Sequence, residues 1–466
     1  MGEVAVEETP IPGLLVFRLP LHRDARGWFK ENWHREKMTA AGLPDFGPVQ
    51  HNVSYNLQPG VTRGIHAEPW DKFVSLTHGR GFGAWVDLRE GPDFGTTFHV
   101  EMDPTTAVFV PRGVGNAYQA LEAGTAYSYL VNDHWRPGSE YLALALDDPH
   151  AAIPWPIDLD RAELSEKDRR NPTLDALTPV PPRRALILGG GGQAGLALQA
   201  EFPDAVCLGL SELDVRDEAQ VAAWPWEDHD VVLNAAAYTA VDAAESPDGR
   251  RQAWATNALA PARLADLAAK HGFVLVHYST DYVFDGTRDA YDEAAPLCPL
   301  GVYAQSKAAG DLAVGTAPRH YLIRTSWMVG DGGNFVRTMA RLAAAGSAAT
   351  VVDDQIGRLT FADELARATH HLVSSGAPYG TYNCTNSGPA TSWADVARQV
   401  FELCGREAGA VTPVSSERYG AGKQLAPRPR RSLLDLSKLV ASGFEPRDAG
   451  VALREYLAGL DHGVEP

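Results

Sequence analysis

Arg184-Ala-Leu-Ile-Leu-Gly-Gly-Gly-Gly-Gln-Ala-Gly195 is an apolar run of strand type that breaks into glycines and opens a helix-forming stretch. Within it Gly189, Gly192 and Gly195 repeat as GxxGxxG. Glycine lets the backbone turn tightly there and approach a pyrophosphate, whose charge meets the N–H groups of the following helix. Glycine runs also build ordinary tight turns, so the motif alone leaves that reading open. Downstream, DVVLNAAAY, FVLVHYSTDYVF and HYLIRTSW are further apolar strands, and alanine-rich amphipathic stretches such as NALAPARLADLAAKHG lie between several of them. This alternation predicts an α/β, Rossmann-type, doubly wound parallel sheet. From about residue 355 the segments shorten, which predicts a small substrate lobe.

Upstream the grammar differs. Up to about residue 150, short alternating runs (FVSLTHG, GAWVDLR, TAVFVP, AYSYLV) are separated by the turn signals EGPDFG, PRGVG and RPGSE, with no sustained helical periodicity. Many short, evenly spaced strands predict an all-β, cupin-like jelly roll. Between the halves TPVPPRR (Thr178 to Arg184) reads as a stiff, extended connector. The expected domains are 1–178 and 183–466.

At 466 residues the chain exceeds one ordinary domain. A formal net charge of -18 argues against nucleic acid or an anionic membrane as the main partner, while a phosphorylated small molecule can still be held by a few local cations and helix N-termini. The four cysteines form no CxxC pair, so neither a zinc site nor a disulfide framework is expected and a reducing compartment is. The N-terminus is acidic and proline-bearing, and no apolar run approaches membrane-spanning length, so the cytoplasm is the expected location.

Chemistry-bearing residues cluster in both halves. Tyr303-Ala-Gln-Ser-Lys307 follows Ser279-Thr280-Asp281. Four residues apart on a helix, the phenol and ammonium share a face, and the ammonium is expected to lower the tyrosine pKa so that it can protonate a ketone oxygen. Thr280, at the end of a parallel strand, would hydrogen-bond the same oxygen. Any one of these residues is more often an ordinary surface group; together and in this order they point to hydride transfer. In the first half, His66 precedes Lys72. A neutral imidazole can remove a proton α to a carbonyl while an ammonium stabilises the enolate oxygen. By composition alone His66 is an ordinary polar residue, with His51, His78 and His99 competing for notice.

Gly192-Gln193-Ala194-Gly195, LNAAAYTAVDAAE, STDYVFDG, VYAQSKAAGD, IRTSW, VVDDQIGRLT and RPRRSLLDLSKL together closely resemble the dTDP-4-dehydrorhamnose reductases, extended short-chain dehydrogenases, over residues 184–460. The resemblance implies that Thr280, Tyr303 and Lys307 form a catalytic trio. It places Gly189, Gly192, Gln193, Ala194 and Gly195 against the cofactor, Asp214 and Val215 near the adenine, and Ala235, Ala236 and Tyr238 along the cleft. It assigns Asp281, Tyr282 and Trp327 to the substrate. Ala194, Ala304 and Leu359 stand where leucine, glycine and proline are usual. The stretch AVCLGLS ends without the carboxylate that would pair a ribose 2′-hydroxyl, and no arginine clamp is evident, which favours NADPH with NADH usable. The family analogy admits Mg2+ as an accessory ion.

DARGWFKE, QHNVS, GVTRGIH, VDLR, FVPRGVGNAYQAL, YLVNDHW and LSEKDRRNPTL resemble the dTDP-4-dehydrorhamnose 3,5-epimerases over residues 10–177. This implies His66 as general base, Asp168 as its carboxylate partner, Lys72 as enolate stabiliser and Tyr129 as the returning acid. Arg26, Glu31, Gln50, Asn52 and Arg63 would hold the nucleotide and diphosphate, arginine matching phosphate oxygens in bidentate fashion. Asn116 stands where histidine is usual and Trp135 where a second tyrosine is, both expected at the substrate. The implied substrate is a dTDP-linked 4-keto-6-deoxyhexose, epimerised and then reduced, and both families imply a homodimer or higher homo-oligomer. Three other readings remain: another nucleotide-deoxysugar, an active reductase with a non-catalytic epimerase domain, and a non-catalytic cofactor-binding regulator.

Overall fold

In a computed structural model, residues 4–135 and 141–461 are described; the RPGSE turn falls outside them. The chain divides between Pro182 and Arg183 into two compact units.

The first unit contains strands β1 (Ala5–Glu8), β2 (Leu15–Arg18), β3 (His22–Asp24), β4 (Gly27–Phe29), β5 (Gln50–Asn56), β6 (Thr62–Ala67), β7 (Lys72–His78), β8 (Gly81–Asp87), β9 (Thr97–Met102), β10 (Thr106–Val110), β11 (Val114–Ala120), β12 (Thr125–Val131) and β13 (Leu142–Ala143). They form two antiparallel sheets, ordered β1-β2-β10-β7-β12-β5 and β13-β6-β11-β8-β9. Strands β5 to β12 pair first with last (β5 with β12, β6 with β11, β7 with β10, β8 with β9), the nested pairing of a jelly roll. Val74, Leu76, Trp85, Val108, Tyr118 and Tyr127 fill the space between the sheets. One short helix, Arg35–Ala40, interrupts the β-pattern; the His34 side chain caps it and Met38 is its buried anchor.

The second unit is built on a parallel sheet: β14 (Arg184–Leu188), β15 (Val206–Leu208), β16 (His229–Asn234), β17 (Val274–Thr280), β18 (His320–Thr325) and the strand Gly380–Asn383, in the order β15-β14-β16-β17-β18-380–383. Helix Ala260–His271 packs on one face and helix Ala362–Ser374 on the other, which explains the near-continuous apolar runs of the strands. The order reverses between β14 and β16, opening a crevice at their carboxyl ends. A second core, containing Trp327, Val336, Val351, Phe401 and Leu453, forms the lobe. The lobe starts earlier than residue 355 and is discontinuous, because residues 362–383 return to the main sheet.

Candidate active sites

A cavity of about 450 Å³ opens in the first unit. Into it β6 brings Arg63 and His66, β7 Lys72, β11 Asn116, β12 Tyr129, and a one-turn 3-10 helix Asp168. His66 Nε2 lies 2.7 Å from Asp168 Oδ1. Burial pulls the Asp168 pKa upward, but hydrogen bonds from His66 and Ser165 outweigh it and hold the carboxyl below its ordinary value. An ionised carboxylate only accepts, so Nε2 carries the hydrogen and Nδ1 is the free basic nitrogen. Lys72 is buried with its Nζ ion-paired to Glu68, a cavity residue that the sequence reading missed. Glu68 sits in the turn between β6 and β7, so the four-residue spacing carries no geometry until the chain reverses there.

Asn116 is opposite His66 in the β11–β6 register. Its Oδ1 accepts from both Trp85 Nε1 and Tyr127 Oη, each at 2.9 Å, so the amide N–H₂ is what remains to face the cavity. Tyr127 is itself held by stacking on Tyr118, with ring centroids 3.9 Å apart. The Tyr129 pKa is raised, first by burial and then by the Glu68 charge, so the phenol keeps its proton.

Five expected substrate residues lie away from this cavity. Arg26 is at the tip of the β3–β4 hairpin, its Nε donating to Asp24 Oδ2 at 3.1 Å. Glu31 pairs with Lys37 at 2.5 Å. Gln50 Nε2 donates to Asn52 Oδ1 at 2.8 Å on the edge strand β5, and Gln50 Oε1 accepts from the backbone of the exposed Trp135 at 3.1 Å.

In the second unit, Gly189 has φ +77° and a Cβ there would stand 2.6 Å from Ala236 N, across the crevice between β14 and β16. A Cβ on Gly195 would come within 2.7 Å of Gly190 Cα, whereas Gly191 faces open space. Helix Gln193–Glu201 begins at Gly192 with no side-chain cap, which leaves the first-turn N–H groups of Gln193, Ala194 and Gly195 free for an anion. This cradle fits a dinucleotide pyrophosphate. Ala235 N donates to Leu188 O at 2.9 Å, and Tyr238 is clamped at both backbone groups by the Asn257 amide. Asp214 is bonded to Arg216, and the Val215 side chain is buried in the core instead of facing the crevice.

Helix Val302–Val314 carries Tyr303 and Lys307 beside the end of β17. Thr280 Oγ1 donates to Asp281 Oδ1 at 3.0 Å. The Tyr303 pKa is raised, by burial first and then by the Asp281 charge, and its hydrogen bond with Thr280 only tempers the rise. The expected lowering by lysine therefore does not hold: the phenol is kept neutral. Lys307 Nζ instead donates to Tyr278 O at 2.6 Å and to His277 Nε2 at 3.2 Å, and burial lowers its pKa to about 8. His277, fully buried and unanticipated from sequence, has Nδ1 3.0 Å from the Asn234 amide nitrogen while Asn234 Oδ1 has no partner. Exchanging the two amide atoms lets Oδ1 accept from Nδ1–H, giving the chain Lys307 to His277 to Asn234.

Asp281 corrects its expected role. It is 1% exposed, tied to Thr280 and Ser432, and its pKa is pushed by burial to about 7; it is an internal strut, not a substrate contact. Trp327 is likewise buried, stacked on Trp393 at 3.8 Å, and Trp393 is the ring that lines the neighbouring cavity. That cavity, about 830 Å³, also receives Tyr282, Asp242, Tyr419 and Arg428. Tyr282 meets the Tyr303 ring edge-on, centroids 6.3 Å apart, linking cavity and trio. Asp242 pairs with Arg428 at 2.8 Å. Arg428 begins the RPRRSLLDLSKL motif but received no role from sequence.

Among the described residues no group of three or more His, Cys, Asp or Glu side chains could hold a metal ion, so Mg2+ has no support, and no helix is long and apolar enough to cross a membrane.

Comparison with known proteins adds relatives for each unit. Residues 8–176 match the dTDP-4-dehydrorhamnose 3,5-epimerase family and residues 183–461 the RmlD substrate binding domain family. The RmlC homolog of Streptococcus pyogenes is 46% identical over 37% of this chain and 90% of its own length. The dTDP-4-dehydrorhamnose reductase of Mycolicibacterium smegmatis is 38% identical over 63% of this chain and 89% of its own. The crystal structure of the Bacillus anthracis reductase in complex with NADP is 33% identical, covers 60% of this chain and 99% of that one, and superposes with a TM-score of 0.56. The chain thus belongs to the RmlD reductase family over its C-terminal unit, with an RmlC epimerase family domain fused ahead of it.

Proposed function

We propose that the chain catalyses two consecutive steps on a dTDP-linked sugar: 3,5-epimerisation of dTDP-4-dehydro-6-deoxy-D-glucose, then reduction of dTDP-4-dehydro-L-rhamnose to dTDP-L-rhamnose. The observation that carries the first step is the His66–Asp168 pair facing Lys72 in one cavity. His66 Nδ1 removes the proton α to the ketone, with Asp168 compensating the imidazolium charge. The Lys72 ammonium and the Asn116 amide N–H₂ receive the negative charge that develops on the enolate oxygen. Neutral Tyr129 returns a proton from the other face. In the second step the glycine loop from Gly189 to Gly195 would hold a nicotinamide cofactor, which would supply the hydride. Tyr303 gives the proton to the ketone oxygen, Thr280 hydrogen-bonds that oxygen, and the Lys307 ammonium favours the transient phenolate.

The family relationship and the NADP-bound relative support this reading. Its thermodynamics also fit: enolisation is reversible, and removing the ketone draws it forward. Fusion keeps both steps at a fixed ratio and a raised mutual concentration. The edge strand β5 exposes Val53 and Tyr55, apolar groups suited to a homodimer contact. The test is incubation of the whole chain with dTDP-4-keto-6-deoxyglucose in D₂O. Without cofactor, deuterium should enter C3 and C5; with NADPH or NADH, cofactor oxidation should match dTDP-L-rhamnose formed. No exchange at either carbon would sink the first step, and no sugar-dependent oxidation the second.

A further inference from the structure

Strand β15 ends against the glycine loop: the N–H groups of Gly189 and Gly190 both donate to Leu208 O, at 2.9 and 3.0 Å. The residues just past Leu208 therefore flank the place where the adenosine ribose of a cradled dinucleotide lies. Read linearly, AVCLGLS offers no carboxylate at this tip. The folded chain supplies one. After Leu208 the backbone doubles back, Glu212 N and Leu213 N both donating to Gly209 O, at 3.2 and 3.1 Å. The Glu212 carboxylate returns to accept from Gly209 N at 2.6 Å through Oε2, which leaves Oε1 free at an exposed position. Its charge is also felt at Cys207, whose thiol is pushed up by burial and then by Glu212.

Cations that would reward a 2′-phosphate are already engaged. Arg216 donates to Asp214 through Nε (2.8 Å to Oδ1) and Nη2 (2.7 Å to Oδ2). Arg263 pairs with Glu218 and donates to Arg216 O at 3.1 Å. The tip thus presents a free carboxylate oxygen among neutralised arginines.

We propose that Glu212 reads the adenosine ribose of the cofactor, accepting from its 2′-hydroxyl and repelling a 2′-phosphate, so that the chain binds NADH more tightly than NADPH. This rests on the glycine loop being the cofactor cradle, and it reverses the preference inferred from the linear sequence. A carboxylate held within a few ångströms of a phosphate is worth about tenfold in affinity after solvent screening.

The test is calorimetric titration of the full chain with NADH and with NADPH, without sugar, for wild type, Glu212→Gln and Glu212→Ala. Wild type should bind NADH about tenfold tighter. Glu212→Gln, which keeps an acceptor and loses the charge, should tighten NADPH about tenfold and leave NADH within about threefold. Glu212→Ala should erase the preference by weakening NADH as well. A wild-type affinity ratio that does not favour NADH, or a ratio unchanged in both variants, overturns the proposal. If wild type binds neither nucleotide, the cradle itself is misread. Because Glu212 is exposed, unchanged thermal unfolding of the variants will show that the fold is intact.

Discussion

His66 Nε2 and Asp168 Oδ1 meet at 2.7 Å although 102 positions separate them in the chain. A strand supplies one and a one-turn helix the other. His66→Ala should lower solvent deuterium exchange into the keto sugar by about 10²-fold or more, the usual contribution of a positioned base. Asp168→Asn should lower it by a smaller factor, because the amide still accepts from Nε2–H but no longer compensates charge. The folded pKa of Asp168 lies below its unfolded value, so its stabilisation is present above the ordinary carboxylate range and lost as pH falls through the lowered folded value. The Tm difference between wild type and Asp168→Asn should accordingly be full at pH 7 and vanish as pH falls through that lowered folded value. A difference independent of pH would remove the ionised pair from the account.

Asn116 separates a stabilising role from a chemical one. Asn116→Ala strands the buried Trp85 N–H and Tyr127 O–H and should cost about 1–3 kcal/mol for each group left without an acceptor. Asn116→Asp keeps an acceptor for both and should cost less stability. Both variants remove the cavity-facing N–H₂, the loss of one oxyanion donor, so deuterium exchange should fall by about 10²-fold in each, and further in Asn116→Asp, which sets negative charge beside a developing enolate. Chemical denaturation and exchange rates measured on both variants should rank them in opposite orders. The same rank in both assays would leave Asn116 as a packing residue alone.

Reduction should show an alkaline limit set by Lys307. With its pKa lowered to about 8, the ammonium is charged at neutral pH and lost as pH rises through that value, so kcat/KM for reduction should fall above about pH 8. His277 accepts from Nζ and thereby favours the charged form. His277→Leu should move the limb about one unit to lower pH, with His277→Gln restoring part of it. Tyr303→Phe should lower turnover by about 10²-fold or more and leave cofactor binding nearly intact. A limb that stays in place in His277→Leu would reduce His277 to packing.

The legible part of this molecule was whatever short-range grammar encodes. Period-two runs marked β7, β8, β10 and β12, and apolar runs alternating with helices marked the parallel sheet. His66, Lys72, Asn116, Tyr129 and Asp168 do converge on one cavity. What stayed hidden depends on chain reversal or burial. Glu68 and Glu212 reach their partners only through turns, and Asp281 looks like a site residue until its burial is seen. The rise in the Tyr303 pKa is likewise a desolvation effect that spacing cannot reveal.

The connector gives the last prediction. From sequence, TPVPPRR is a spacer beginning at Thr178, yet Val180 is part of the first unit. Its N–H donates to Leu88 O and its carbonyl accepts from Glu90 N, both at 2.8 Å, and its side chain packs 3.3 Å from where a Gly113 Cβ would stand. A fragment ending at residue 178 therefore loses two backbone hydrogen bonds and an apolar contact that one ending at Pro182 keeps. At about 1 kcal/mol net per bond, fragment 1–182 should be roughly 2 kcal/mol more stable than 1–178, a Tm difference of several degrees for a domain of this size. Both should still fold, because the sandwich core lies well upstream. Mixed with a 183–466 fragment, 1–182 should restore conversion of the keto sugar to the reduced product, more slowly than the intact chain at equal low concentration. Calorimetry on the two N-terminal fragments and a coupled assay on the mixture check each part. Equal Tm values would make Val180 a mere spacer, and an inert mixture of soluble fragments would show that the two units need their covalent link.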